Sequence, residues 1–376
     1  MTPGSPYDGS HCFGRWEPSS FPDRSPGGSA HAASVAAMDL AELTTLRLGG
    51  PARAVIDATT EEHLVEAVRV ADEAGDTVLV VAGGSNLVVA DEGLDGTVVR
   101  VLTRGVTVDA DACSGAMVTV AAGEPWDAFV ARTVDEGWVG VEALSGIPGS
   151  TGATPIQNVG AYGQEVSQTI ASVRAYDRYD RRIRTFAAAD CGFGYRHSRF
   201  KAEPQRHVVL TVTFQLALGD LGAPVAYGEL ARTLGVEVGG RAPARAVRDT
   251  VLGLRRGKGM VLDADDHDTW SAGSFFTNPL LTPEQAAALP AGAPRFEQPD
   301  GSVKTSAAWL IDHAGFAKGH GNAHVSLSTK HTLALTNRGG ASTAELLDLA
   351  REIRDGVQAA YGIRLVNEPV LVGCSL

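Results

Sequence analysis

The chain has 376 residues, of which 44% are hydrophobic and 20% charged, a composition typical of soluble globular proteins. This length allows two or three domains, and no apolar run approaches the roughly 20 residues that a membrane-spanning helix needs. A formal net charge of −12 and a pI near 5.3 argue against nucleic acid or an anionic membrane as a partner, and we expect no membrane insertion.

Residues 1–38 are predicted to form a disordered extension, because this segment is rich in Pro, Gly and Ser. It lacks the basic start and apolar core of a signal peptide, and Met38 is a candidate for the start of translation. The four cysteines show neither a metal-binding nor a disulfide spacing, which favours reduced thiols and a cytoplasmic protein. They are Cys12, Cys113, Cys191 and Cys374.

Helix and strand patterns alternate after this extension and predict an α+β fold. Thr59 and Glu62 form a capping-box signature before a helix that we expect to end near Gly75. Strands are predicted over 77–82, 97–102, 117–121 and 207–215. A second helix is predicted from its apolar face, which carries Trp126, Phe129, Val130 and Thr133.

Composition shifts predict a first domain over 39–218, a second over 219–339 and a C-terminal segment over 340–376. In the C-terminal segment Ser342 and Glu345 form another capping box, and the helix behind it is expected to end at Gly362. A terminal strand over 363–372 is expected to return to the first domain.

Residues 144–163 contain five glycines and two prolines, which interrupt any helical or strand period. Such a loop exposes its backbone, so that N–H and C=O groups can approach a ligand closely. Composition alone leaves open a chain of tight turns in a glycine-rich protein. Gly83, Gly84, Ser85 and Asn86 follow a predicted buried strand and can form an anion-binding nest, although a plain strand-ending turn remains the alternative.

Six sequence blocks in order resemble the UDP-N-acetylenolpyruvoylglucosamine reductase (MurB) family. They run from about residue 43 to residue 373. One departure is Ala82, where a third glycine is expected. The blocks are Arg47 to Ala52, Gly83 to Leu87, Leu144 to Gly163, Phe193 to Ser198, Gly273 to Pro279 and Asn367 to Gly373.

The resemblance implies an FAD-binding domain of the MurB/vanillyl-alcohol-oxidase type, built from two α+β lobes, with a smaller α+β substrate-binding domain over 219–339. It further implies non-covalent FAD, NADPH as electron donor and a UDP-sugar substrate. Residues implied to contact FAD are Gly83, Gly84, Ser85, Asn86, Leu87, Ser145, Gly146, Ile147, Pro148, Gly149, Gly152, Asn158, Gly160, Ala161, Tyr162 and Gly163.

Three catalytic residues are carried over from the matching motifs. Arg196 would hold and polarise the substrate carboxylate, Ser274 would donate a proton, and Glu368 in the terminal strand would help to stabilise an enol intermediate. The residues expected at the UDP-sugar are Tyr195, Tyr227, Lys258, Asn278 and Lys304, with Lys330 as a weaker choice.

Two alternatives remain from the sequence: a flavin oxidoreductase of the same fold that acts on a small alcohol or hydroxy acid, and a non-catalytic protein that binds a nucleotide-sugar or flavin. The joint presence of the three catalytic motifs disfavours both. No metal site is expected, because the spacing of the C-terminal histidines matches no metal-binding pattern. These histidines are His313, His320, His324 and His331.

Overall fold

The computed structural model describes residues 38–111 and 113–376; Cys12 and the rest of the predicted extension before Met38 lie outside the described residues. Strands and helices are mixed along the chain, which confirms the predicted α+β class. The strands are β1 (Met38–Asp39), β2 (Pro51–Ala58), β3 (Val78–Val81), β4 (Leu87–Val89), β5 (Leu94–Val101), β6 (Val106–Asp111), β7 (Gly115–Ala121), β8 (Trp138–Val139), β9 (Gly160–Ala161), β10 (Gln164–Glu165), β11 (Ile170–Asp177), β12 (Arg182–Ala187), β13 (His207–Leu218), β14 (Leu280–Leu281), β15 (Phe296–Glu297), β16 (Val303–Lys304), β17 (Val325–Leu327), β18 (Leu335–Asn337) and β19 (Val370–Val372). The helices are α1 (Glu61–Glu73), α2 (Trp126–Asp135), α3 (Thr154–Gln157), α4 (Arg199–Ala202), α5 (Gly228–Leu234), α6 (Ala244–Gly257), α7 (Pro283–Ala288), α8 (Ala307–His313) and α9 (Thr343–Tyr361).

Two sheets form the N-terminal half. The first has the strand order β1-β2-β5-β3, in which β2, β5 and β3 run parallel, and α1 packs on β2 and β5. The second is antiparallel, with the order β12-β11-β13-β7-β6, and β13 also pairs with β8. Trp126 and Phe129 of α2 contact Phe214 of β13, with ring centroids 5.9 and 5.2 Å apart.

The C-terminal half has its own core, in which α9 packs against α8 and the β17-β18 hairpin. Leu46 and Val88 from the N-terminal half join this core, and β19 pairs in parallel with β4. A smaller cluster joins α5 and α6 to Tyr162 of the glycine-rich loop and to Ala143, which directly precedes this loop. Helices from the middle of the chain therefore support the loop that the sequence singled out.

Local signals predicted α1, α2 and α9 but not the 14-residue helix α6, and they misplaced two details. Ser342 and Glu345 form the predicted capping box of α9, and Gly362 ends this helix in the left-handed region. The cap of α1 is Thr60 and not Thr59, because the Thr60 hydroxyl accepts the His63 N–H at 3.2 Å.

The predicted terminal strand over 363–372 is also wrong, because only Val370–Val372 form a strand. Glu368 therefore precedes the strand instead of lying within it. The segment before the strand bonds to residues 275–277: Thr277 N–H donates to the Val366 carbonyl at 3.0 Å. Pro369 has no N–H to donate and so interrupts a regular ladder.

No helix within the described ranges is long and apolar enough to cross a membrane. The division into domains over 39–218, 219–339 and 340–376 stays a prediction.

Two glycines inside helices provide a stability test. Gly253 is exposed in α6 and a Cβ there would meet no atom within 4 Å, so Gly253→Ala should raise the free energy of unfolding by about 0.5–1 kcal/mol. A Cβ at Gly356 in α9 would lie 2.5 Å from the Phe316 ring, so Gly356→Ala should lower the free energy of unfolding by roughly 1–3 kcal/mol. Urea unfolding of both variants measures the difference. Equal shifts in the two variants would contradict this packing.

Candidate active site

The turn after β3 and the glycine-rich loop over 144–163 contact each other through their glycines. A Cβ built at Gly83, in the turn after β3, would lie 2.5 Å from the Cα of Gly149. The Ser85 hydroxyl donates to the Pro148 carbonyl at 3.1 Å. The turn after β3 and the glycine-rich loop, predicted separately to contact the cofactor, therefore lie directly against each other.

The turn after β3 has free backbone donors. Within the described chain, the N–H groups of residues 83–86 donate to no other group. Gly84 has φ +57°, and a Cβ there would collide with the Leu43 carbonyl, so a side chain is not tolerated. Successive free N–H groups of this kind bind anions.

A buried hydroxyl beside the turn also lacks a partner. Ser150 is 5% exposed, and its Oγ forms no hydrogen bond within residues 38–111 and 113–376. Buried polar atoms without partners are rare in native proteins and invite a ligand or water as explanation. Free N–H groups, bare glycines and this hydroxyl together fit the diphosphate of a dinucleotide cofactor.

Other predicted cofactor-binding residues hold the loop in place. The Asn158 side chain is buried and donates to Glu165 at 2.9 Å and to the Gly194 carbonyl at 3.0 Å. The Gly146 N–H donates to Asp127 at 2.6 Å, and the Ser145 hydroxyl donates to the Glu142 carbonyl at 2.6 Å. Of the remaining residues, Gly152 packs against Ala122, Leu87 begins β4, Ile147 packs on the core, and Gly160 and Ala161 form β9.

Tyr162 and Gly163 form the two-residue turn between β9 and β10. Both have positive φ, +50° and +85°, as a type I′ hairpin turn requires. The turn presents the Tyr162 ring edge-on to the Tyr227 ring at 5.5 Å. Lys258 lies 5.5 Å from the Tyr162 ring and pairs with Glu229 at 2.6 Å. Tyr227 and Lys258, two predicted substrate residues, thus lie next to the loop.

Arg196 and Glu368 form a half-buried ion pair across 172 residues of sequence. Arg196 Nε donates to Glu368 Oε1 at 2.9 Å, and Nη2 donates to the Gly160 carbonyl at 2.9 Å. Nη1 makes a longer bond of 3.4 Å to the Asn158 carbonyl. Three of the five N–H donors of a guanidinium are thus used, which leaves two for a ligand.

The backbone of Arg196 is in an unusual conformation. Gly194 and His197 exchange two backbone hydrogen bonds, of 3.0 and 3.1 Å, around a two-residue turn. Arg196 is the second residue of this turn and has φ +50°, a region that favours glycine or asparagine. Strained residues of this kind occur preferentially at functional sites.

Tyr195, Asn278 and Lys304 lie together beside this turn. The Asn278 N–H donates to the Tyr195 hydroxyl at 3.3 Å, and its side-chain oxygen accepts the Ala307 N–H at 3.0 Å. Lys304 Nζ lies 4.9 Å from the centroid of the Tyr195 ring. The structure thus gathers three predicted substrate residues beside Arg196. Lys330 instead pairs with Asp266.

Ser274 lies on a segment that contacts the Glu368 backbone. The next residue, Phe275, accepts the Glu368 N–H at 2.8 Å and donates to the Leu333 carbonyl at 2.7 Å. Ser274 is half-buried, and its hydroxyl forms no hydrogen bond within the described residues. The hydroxyl is therefore free to interact with a ligand.

Burial raises the pKa of two side chains in the site. It raises the pKa of the Glu368 carboxyl above the ordinary value, and the neighbouring cations Arg196 and Lys201 only partly oppose this effect. Burial also raises the pKa of Tyr195. A carboxyl group with a raised pKa holds its proton closer to neutral pH, which suits a group that stabilises developing negative charge.

Two buried basic residues near Lys258, Arg255 and His331, were not expected at the site from the sequence. Burial lowers the pKa of Arg255 to about 10 and that of His331 to about 4. The Arg255 Nε has no partner within the described chain, although its Nη2 donates to the Met260 carbonyl at 2.7 Å. The positive charges of Lys258 and Lys318 add to the effect on His331. The only sequence signal was Arg255 in the same short segment as Lys258.

Within the described residues, no three His, Cys, Asp or Glu side chains are grouped so that they could hold a metal ion.

The neutral state of His331 gives a pH prediction. Its pKa is about 4 in the folded protein and 6.5 ordinarily, so the neutral folded form is fully favoured above pH 6.5. As the pH falls from 6.5 toward 4, only the unfolded chain takes up this proton, and the free energy of unfolding decreases. His331→Asn should make this decrease smaller, whereas exposed His63→Asn serves as the control. Urea unfolding across this pH range measures it, and parallel curves for wild type and His331→Asn would contradict the assignment.

Comparisons with known proteins agree with this geometry. A model of the UDP-N-acetylenolpyruvoylglucosamine reductase C-terminal domain matches residues 265–372, and a model of an FAD binding domain matches residues 52–185. The UDP-N-acetylenolpyruvoylglucosamine reductase of Cutibacterium acnes is 59% identical over 340 residues, and that of Streptomyces coelicolor is 58% identical over 348; each alignment covers 90% of both chains.

A solved structure is also similar. The crystal structure of UDP-N-acetylenolpyruvylglucosamine reductase (MurB) from Thermus caldophilus superposes with a TM-score of 0.62 at 25% identity, covering 90% of this chain and 98% of that one. The chain therefore belongs to the UDP-N-acetylenolpyruvoylglucosamine reductase (MurB) family.

Proposed function

We propose that the protein is an FAD-dependent UDP-N-acetylmuramate dehydrogenase. It reduces UDP-N-acetylglucosamine enolpyruvate to UDP-N-acetylmuramate with NADPH, a step in the synthesis of peptidoglycan precursors. The observation that carries this proposal is the Arg196–Glu368 pair, which lies beside the segment bearing a free Ser274 hydroxyl and contacts the glycine-rich loop through Gly160. We further propose that the reaction takes place in the cytoplasm.

The cofactor site is proposed to comprise the turn over 83–86 and the glycine-rich loop. When bound, FAD supplies hydride chemistry, taking a hydride from NADPH and passing it to the enolpyruvyl group. The free N–H groups of the turn and the Ser150 hydroxyl would hold the diphosphate. Gly83 and Gly149 would let the backbone approach the cofactor closely, because a side chain at Gly83 would enter the neighbouring turn.

The enolpyruvyl carboxylate is proposed to bind Arg196. The two remaining N–H donors of Arg196 can hold a carboxylate, while the three donors that bond to the protein keep the guanidinium oriented. Burial raises the pKa of Glu368. This residue would stabilise the negative charge that develops next to the carboxylate of the substrate. Ser274 would then give its proton to the adjacent carbon.

The UDP part is proposed to bind Tyr227, Lys258, Asn278 and Lys304, with Tyr195 shaping the site. A diphosphate needs local positive charge in a protein of net charge −12. Lys258, Arg255 and Lys318 all lie near enough to His331 to lower its pKa, so three cations lie in one region. This region belongs to the proposed substrate domain over 219–339.

Ser274→Ala tests the assigned proton donor. We expect NADPH to reduce the bound flavin at close to the wild-type rate, because the hydroxyl forms no bond that supports the fold. Turnover of the enolpyruvyl sugar should fall by about 10²–10⁴-fold, the usual contribution of a positioned acid or base. Stopped-flow absorbance of the flavin separates the two half-reactions, and an equal loss in both would remove Ser274 from this role.

Arg196→Lys tests the guanidinium. Lysine keeps the charge but cannot reproduce bonds to Glu368, Gly160 and a carboxylate in fixed directions, so we expect reoxidation of the flavin by the sugar to fall by roughly 10²-fold or more. Lys330→Arg, at the ion pair with Asp266, is a matched control with the reverse exchange. Reoxidation near the wild-type rate in Arg196→Lys would exclude Arg196 from the mechanism.

A further inference from the structure

Lys201 is a partly buried cation that the mechanism above does not use. It lies in α4, whose N-cap Ser198 accepts the Lys201 N–H at 3.2 Å and donates to the Ile156 carbonyl at 2.7 Å. The Ser198 side chain thereby fixes α4 against α3, which lies within the glycine-rich loop. The start of the Lys201 side chain is fixed by the same contacts.

The Lys201 ammonium is linked to the backbones of two of the three proposed catalytic residues, directly to Arg196 and through Gln157 to Glu368. Nζ donates to the Arg196 carbonyl at 3.0 Å and to the Gln157 side-chain oxygen at 2.7 Å. Gln157 in turn donates from Nε2 to the Glu368 carbonyl at 3.0 Å. One side chain therefore connects two residues that lie 172 positions apart in the sequence.

The hydrogen bonds of Lys201 and Gln157 reach two residues whose backbones lie outside regular helices and strands. Arg196 has φ +50°, which a non-glycine residue adopts only when its surroundings hold it there. Glu368 lies in the irregular segment before β19, where Pro369 prevents a continuous ladder. Neither residue is held by a regular helix or strand.

We propose that Lys201, together with Gln157, is a positioning residue that fixes the geometry of the Arg196–Glu368 pair. This proposal rests on the function proposed above. The charged and titratable groups that face Glu368 are Arg196 and Tyr195 from the turn and Lys201 from α4. With Lys201 removed, Arg196 is the one cation of this group that remains to favour the ionised carboxylate.

Lys201→Met tests the proposal in the FAD-loaded protein. We expect flavin reduction by NADPH to stay within about twofold of wild type and flavin reoxidation by the enolpyruvyl sugar to fall by roughly tenfold or more. The carboxyl stretch of Glu368, identified by its loss in Glu368→Gln, should titrate at higher pH in an infrared experiment without substrate. Lys201→Arg should recover part of both properties.

Two further variants complete the design. Arg199→Met removes a cation from the same helix; because Arg199 lies 5.1 Å from the Phe186 ring, away from the pair, neither property should change. Gln157→Met keeps the lysine but removes the link to Glu368, so reoxidation should slow even where Lys201→Met fails to fold.

The outcomes are distinguishable. Unchanged reoxidation and an unchanged Glu368 titration in Lys201→Met, or unchanged reoxidation in Gln157→Met, would overturn the positioning role. If the wild-type flavin is not reoxidised by the sugar, the proposed function fails. The infrared titration of Lys201→Met then still decides whether Lys201 lowers the pKa of the Glu368 carboxyl group.

Discussion

The site depends on one ion pair that joins the two halves of the chain. Arg196 reaches Glu368 at 2.9 Å and the Gly160 carbonyl at the same distance, so one guanidinium connects the glycine-rich loop to the C-terminal segment. The Arg196–Glu368 pair is half-buried, and a charge removed from water is stable only when hydrogen-bond partners are held in fixed positions around it. The same burial raises the pKa of Glu368. Fold and chemistry thus have a common cause: the halves must pack for the pair to exist, and the packing gives the carboxyl its altered acidity.

The proposed cofactor cradle follows a different physical rule. Here the chain contributes few side chains and many backbone donors, and the glycines are needed because two turns touch: Gly83 lies against Gly149, and Gly84 against the Leu43 carbonyl. Membership of the MurB family and the matched FAD binding domain agree with this arrangement. A cradle of backbone N–H groups would allow a protein of net charge −12 to hold an anionic cofactor, since such donors attract phosphate without a cluster of lysines.

Local signals in the sequence predicted the α+β class, the helices α1, α2 and α9 and four of the strands, but only part of the candidate site. The capping box of α9 and the apolar face of α2 are short-range features, so both helices could be predicted from the sequence alone. The terminal strand was predicted too long, because nothing local shows that residues before Pro369 pair with 275–277. The contacts of Lys201 and the burial of His331 could not be predicted for the same reason. A single lysine or histidine has no pattern, and its role comes from burial and from neighbours distant in the sequence.

We propose one site that reduces an enolpyruvyl UDP-sugar with electrons from NADPH through bound FAD. The most direct test is the visible spectrum of the purified wild-type protein under anaerobic conditions, recorded before and after NADPH and again after the sugar. The account predicts a flavin band that bleaches with NADPH and returns with UDP-N-acetylglucosamine enolpyruvate. A band that bleaches but does not return with the sugar would contradict the proposed substrate. A colourless protein that does not take up FAD would contradict the cofactor site as well.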